Sequence, residues 1–123
     1  MTLLALESLS VEISNTCVCR DLSLGINRGE VWSVLGRNGV GKSTLLKTLA
    51  GLRAPVSGQI ILDDREVMSL SRRSRAQQLG ILFQENETLF PASVLDTVLT
   101  GRHPWLNPFQ GESSEDIQKA RQA

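Results

Sequence analysis

Gly36-Arg37-Asn38-Gly39-Val40-Gly41-Lys42-Ser43-Thr44 fits the pattern G-x-x-x-x-G-K-[ST]. The apolar run before it, Val31-Trp32-Ser33-Val34-Leu35, reads as a buried strand. The run after it, Ser43 to Ala50, reads as a helix. With glycine at roughly 7% of residues in an average protein, one eight-residue window matches by chance with odds on the order of 10⁻⁵. The match is therefore specific even before its strand-loop-helix setting is considered.

The residue types explain themselves chemically. Gly36, Gly39 and Gly41 admit backbone dihedrals that other residues resist, and they let the main chain approach an anion closely. Successive N–H groups of Arg37, Asn38 and Val40 can then converge as an anion nest. The first turn of the following helix adds unpaired N–H donors and the positive end of its dipole. Lys42 is placed to reach β- and γ-phosphates, the Ser43 hydroxyl to bind Mg²⁺, and Thr44 to meet the α-phosphate side. The pattern implies a nucleoside triphosphate with magnesium.

Composition narrows the field. The chain has 123 residues, zero formal net charge and 41% hydrophobic residues, ordinary for one soluble domain or a large piece of one. Zero net charge argues against nucleic acid as the main partner, and Arg72, Arg73 and Arg75 read as a solvated helix face. No apolar stretch is long enough to span a bilayer. The N-terminus lacks the basic start of a signal peptide, so a cytosolic location is expected. Cys17 and Cys19 are the only cysteines and His103 the only histidine. Two cysteines at i and i+2 read as reduced strand residues rather than a zinc site, and His103 reads as a loop residue.

The remaining pattern predicts strands over Leu3–Ile13 and Cys17–Ile26, with a turn at Asn15-Thr16. Arg28-Gly29-Glu30 turns the chain ahead of the loop. In the helix, Leu45, Leu46, Leu49 and Ala50 form the expected buried face, with Lys47 and Thr48 pointing elsewhere. Gly51 stops it. A strand over Gln59–Leu62 follows, then a turn at Asp63-Asp64-Arg65. Further on come a Ser71-capped helix to Gln78, a short strand Gly80–Phe83 and a Ser93-capped helix to about Thr100. Arg102–Gly111 reads as loop. A last helix, capped by Ser113 or Ser114, runs to Ala123 with a thin stripe of Ile117 and Ala120 and no stop signal, as in a C-terminally truncated fragment.

Asp21-Leu22-Ser23-Leu24, Arg28-Gly29-Glu30-Val31, Gly36 to Gly51, Ser57-Gly58-Gln59-Ile60 and Ile81-Leu82-Phe83-Gln84 together resemble the N-terminal half of ABC transporter ATPases. The resemblance covers nearly the whole chain. It implies an α/β fold, a P-loop NTPase core with an N-terminal antiparallel β subdomain. Residues 1–123 would be a partial nucleotide-binding domain, from Walker A to the Q-loop and the start of the helical subdomain. It implies ATP and Mg²⁺ as cofactors, and a second ATPase subunit and a transmembrane permease subunit as partners. It further implies a peripheral position on the cytoplasmic face of the membrane. Lys42 takes the Walker A role, stabilising charge on the phosphates and the transition state. Ser43 becomes a magnesium ligand, and Gln84 the Q-loop glutamine in the Mg²⁺ shell. Glu85 to Pro91 resembles the region that touches the membrane subunit. Arg102-His103-Pro104-Trp105 and the acidic helix after it resemble the subgroup importing ferric siderophores, haem or cobalamin.

Two departures and one alternative accompany this reading. The family often stacks an aromatic on adenine near the second strand, where this chain has Ile13. An L-S-G-G signature, a Walker B strand with its glutamate and a switch histidine are absent from the 123 residues, so ATP hydrolysis by this chain alone is not expected. Ile60-Ile61-Leu62-Asp63-Asp64 could serve as a Walker B in a compact P-loop enzyme, because a crossover from Val31 to Leu62 is physically allowed. The resemblance instead puts Gln59 to Leu62 in an antiparallel side-sheet. A non-catalytic interaction fragment with an idle loop is the third possibility.

Overall fold

The computed structural model describes residues 1–84 and 91–123, in two units, Met1–Arg75 and Ala76–Ala123. In the first, β1 (Thr2–Ile13) and β2 (Thr16–Asn27) form a long hairpin. Two residues, Ser14 and Asn15, make its turn, both at positive φ (46° and 62°). A two-residue turn of that hand matches the twist of the paired strands. The turn thus sits one residue earlier than the sequence suggests. β3 (Ser57–Leu62) pairs antiparallel with β1 and, through a second two-residue turn at Asp63-Asp64, with the short β4 (Arg65–Glu66). The sheet order is β2-β1-β3-β4.

The broken alternation in β1 has a structural cause. Leu6 pairs with Leu24 and Leu9 with Leu22, so three steps on β1 oppose two on β2. The extra residue is a bulge at Ser8, whose φ is 46°. It re-phases the strand, so Leu6, Leu9 and Val11 are all buried although Leu6 and Leu9 are three apart. A compensating bulge near Asp21 (φ 51°) restores the register. Hydroxyls satisfy the amides that the bulges free: Ser8 N–H donates to Ser23 Oγ (2.9 Å), and Asp21 N–H to Ser10 Oγ (3.1 Å). Ile60, Leu62 and Val67 complete this core. Each such side chain contributes roughly 1.5–3 kcal/mol on burial.

Helix α1 (Lys42–Leu49) packs against β1 and β2. It ends as expected at Gly51 (φ 71°). Gly51 N–H bonds Thr48 O and Leu52 N–H bonds Lys47 O, both at 2.9 Å, which closes the last turn. The expected buried face is corrected. Thr48 is the helix's fully buried residue, while Leu46 stays 47% exposed and Leu45 and Leu49 are half-buried. The Thr48 hydroxyl donates back to Thr44 O (2.8 Å), which makes its burial tolerable. The leucine ridge has no sheet over it among the described residues.

The same cause corrects the segment before the loop. Val31–Leu35 belongs to no strand among the described residues, with Val31 95% and Leu35 91% exposed. A buried parallel strand needs hydrogen-bonding neighbours on its edges, and no described strand pairs with it. A 3₁₀ turn, Val67–Ser69, leads into α2 (Arg72–Gln78), capped by Ser71 as expected. Arg75 is half-buried rather than purely solvated, and its guanidinium donates to the Gly51 carbonyl at the end of α1.

In the second unit, α3 (Val94–Leu99) and α4 (Ser114–Gln122) both begin with reciprocal capping boxes, Ser93 with Asp96 and Ser113 with Asp116. Thr100–Trp105 form a 3₁₀ helix, which takes in the first four residues of the Arg102–Gly111 stretch expected as loop. Arg102 Nε donates to the buried Asp116 carboxylate at 2.7 Å, and its guanidinium lies 5.0 Å from the centre of the Trp105 ring. Bonds from Ser113 N–H, Arg102 and the Ser113 hydroxyl hold the Asp116 carboxyl at about 2. Ile81–Phe83, expected within a strand, belongs to no strand among the described residues, and Leu82 is 89% exposed.

Gly51→Ala tests the closing turn of α1. The left-handed backbone alone costs about 1–2 kcal/mol for an L-residue, and a methyl there would fall 2.7 Å from Val67 Cγ1. Chemical denaturation should show a loss of at least about 1–2 kcal/mol.

Candidate phosphate-binding site

The loop of residues 36–41 follows the Val31–Leu35 segment and enters α1 directly. Gly41 caps the helix from the left-handed region (φ 102°), and no side chain caps the first turn. Leu45 N–H bonds Gly41 O (2.9 Å), so the helical ladder begins there. The amides of Lys42, Ser43 and Thr44 precede the first intrahelical bond of an eight-residue helix. They are the donors an anion would take. Gly39 is also at positive φ (82°), and Val40 N–H closes a turn onto Arg37 O (3.4 Å). Gly36 sits beneath Val40, where a methyl group would meet Val40 Cγ2 at 2.9 Å.

Lys42 Nζ donates to Gly36 O (2.6 Å) and Arg37 O (2.9 Å). Its ammonium is thereby folded back onto the carbonyls at the start of the loop. Ser43 is exposed and Thr44 half-buried. The loop thus gathers backbone donors, a cation and a hydroxyl within nine residues. These donors suit a phosphate chain, and the Ser43 hydroxyl suits a hard divalent cation.

Sequence and structure part company over the other carboxylates and Gln84. Asp63 lies in the tight turn between β3 and β4 at φ 49°, and its Oδ1 accepts from Arg28 at 3.0 Å. β3 runs antiparallel beside β1. The parallel crossover that a Walker B at Asp63 requires is therefore not formed, and that alternative is corrected. No group of three or more metal-ligating side chains occurs among the described residues. Gln84 is exposed and follows residues that belong to no described strand. It belongs to the second unit. Of the segment expected to touch a membrane subunit, residues 85–90 lie outside the described residues. Ile13, at the adenine-stacking position, is 37% exposed at the end of β1.

A polar knot in the lead-in was not anticipated. Glu30 accepts from Asn27 N–H, Asn27 Nδ2 and Trp32 Nε1, each at 2.9 Å. Its only sequence signal is Asn27 followed by Glu30 across a glycine turn.

A family model described as ABC transporter matches residues 19–123. The chain belongs to the ABC transporter family. The petrobactin import ATP-binding protein of Bacillus anthracis is 36% identical over 121 residues, covering 94% of this chain and 44% of that protein. The hemin import ATP-binding protein of Burkholderia ambifaria is 39% identical over 129 residues, covering 98% of this chain and 47% of that one. The solved structure of cbiO1 from Clostridium perfringens, part of the ABC transporter complex cbiONQ, superposes with a TM-score of 0.70 at 33% identity. That match covers 96% of this chain and 47% of the other. The chain spans a little under half the length of these relatives. The structural match shows an ABC ATPase fold, in which α1 of this chain lies between β2 and β3 of the antiparallel sheet in chain order, and no described helix is long and apolar enough to cross a membrane.

The Glu30 knot carries its own prediction. Bonds from the Asn27 amide, the Asn27 side chain and the Trp32 indole pull the carboxyl from 4.5 down to about 2. A depressed carboxylate stabilises the fold above its ordinary range and loses that contribution as pH falls through the folded value. The Trp32 indole N–H resonance should hold its bonded position through pH 4 and move only toward pH 2. In Glu30→Gln that transition should vanish.

Proposed function

We propose that this chain is the phosphate-gripping part of an ABC importer's ATP-binding subunit. The carrying observation is the uncapped first turn of α1, with Gly39 and Gly41 at positive φ and Lys42 folded back onto the carbonyls at the start of the loop. Family membership over residues 19–123 gives that loop its context. The amides of residues 37–44 and the Lys42 ammonium would hold the phosphates of ATP. The Ser43 hydroxyl would bind Mg²⁺, with Gln84 joining the metal shell. Bound MgATP supplies a γ-phosphate open to in-line attack by water. Lys42 stabilises the charge that spreads over the phosphoryl oxygens in the transition state.

In the complete protein this binding and hydrolysis would drive import, with the subunit dimerised and seated on a permease at the cytoplasmic face of the membrane. The chain's likeness to a petrobactin import and a hemin import ATP-binding protein favours a metal chelate as cargo. An iron-siderophore, haem or cobalamin fits that class. Nucleic acid is not part of the reading, given zero net charge. The 123 residues hold no L-S-G-G signature, so this chain by itself should hold nucleotide without turning it over.

A melting scan tests the reading. A ligand that binds only the folded form stabilises it by about 2.7 kcal/mol at a hundredfold excess over Kd, which for a small domain is a rise on the order of 10 °C. MgATP should raise the melting temperature of this chain. Lys42→Ala should weaken binding about tenfold to a hundredfold by removing charge-assisted bonds. Asp63→Asn should leave binding unchanged. No MgATP-induced shift would favour the idle interaction fragment, and steady hydrolysis abolished by Lys42→Ala would refute the predicted lack of turnover.

A further inference from the structure

β1 and β2 fall out of step once more next to Gly41 of the phosphate loop. Val11 pairs with Cys19 and the next residue, Glu12, pairs with Cys17. One step on β1 therefore opposes two on β2, and Val18 is the unpaired extra residue of a bulge. A bulge bends its strand and re-aims a side chain. Here the side chain arrives at Gly41. A methyl group on Gly41 would lie 2.5 Å from Val18 Cγ2, 2.9 Å from Cγ1 and 3.2 Å from Cβ. No atom outside Val18 comes as near, so the isopropyl group abuts the Gly41 α-carbon. Val18 is half-buried, on the strand at the sheet's edge.

We propose that Val18 is a positioning residue of the phosphate loop, the apolar seat that sets where Gly41 turns from loop into helix. The inference rests on the nucleotide-binding reading of that loop. Gly41 is the last residue before the amides of Lys42, Ser43 and Thr44, so its position sets theirs. It is pinned between a left-handed backbone at φ 102° and the valine next to it. A site made of converging backbone donors tolerates displacements of only about 0.5 Å. The glycine therefore serves two needs at once: positive φ, and room for a β-branched side chain delivered by a bulge. The stiffness of valine at χ1 suits a seat, because it leaves few alternative rotamers.

The test uses the 123-residue chain, with MgATP affinity and melting temperature measured on each variant. Val18→Ala should weaken MgATP binding about threefold to thirtyfold. Ile60→Val, a trim elsewhere in the same sheet, should lower the melting temperature while leaving affinity unchanged. Gly41→Ala should cost less melting temperature in the Val18→Ala background than in the native chain, because the smaller residue relieves the clash but not the backbone strain. Equal affinities for native and Val18→Ala chains would overturn the inference while leaving the loop's nucleotide reading intact. If the native chain binds no MgATP, that reading falls, and the Val18–Gly41 cycle decides the seat alone: additive costs overturn it.

Discussion

The first unit depends on burying one apolar face of one antiparallel sheet. Leu6, Leu9, Val11, Ile60 and Leu62 are all buried, yet a strictly alternating strand could not bury both Leu6 and Leu9 on one face. The bulges at Ser8 and near Asp21 resolve that conflict, and their freed amides are taken by the hydroxyls of Ser23 and Ser10. The face then offers β1 and β2 to α1. The orientation of α1 sets the direction in which its first-turn amides point. Hydrophobic burial in the sheet thus positions a polar site that contains almost no apolar atoms of its own.

The site illustrates how much can be done by short-range geometry. The bonds of Lys42 to Gly36 and Arg37 span six and five residues, and the turn from Arg37 to Val40 spans three. Such contacts carry little loop-closure entropy. By contrast, Val31–Leu35 can become a strand only through partners distant in sequence. Its exposure beside a well-formed loop separates the two kinds of order. The loop is built by its own residues, whereas the strand awaits neighbours.

That distinction also decides what was legible in the sequence. The phosphate loop, the hairpin, the Gly51 stop and the Ser71, Ser93 and Ser113 caps were readable, because each is a local pattern with a local mechanism. The expectations for Val31–Leu35, Ile81–Phe83 and the leucine face of α1 were not met. Apolar periodicity states that a face wants cover and is silent on what supplies it. Thr48 was missed for the complementary reason: its methyl group packs while its hydroxyl is satisfied within the helix at Thr44. Arg102 with Asp116, and Asn27 and Trp32 with Glu30, escaped notice because a charge pattern does not reveal which exposed-looking groups will meet. The bulges could only be sensed as imperfect alternation.

The placement of Asp63 shows why topology must precede chemistry in reading such a site. An apolar strand ending in two acids is the same string whether the strand is parallel or antiparallel. In the parallel case the acid emerges at the loop end of the sheet, where phosphates bind. Here β3 pairs antiparallel with β1, and both aspartates adopt the left-handed turn that joins β3 to β4. Their positive φ suits short polar residues that tolerate that region. Arg28 neutralises Asp63 from the turn ahead of the lead-in. The acids thus have a structural reason to be there that owes nothing to metal binding.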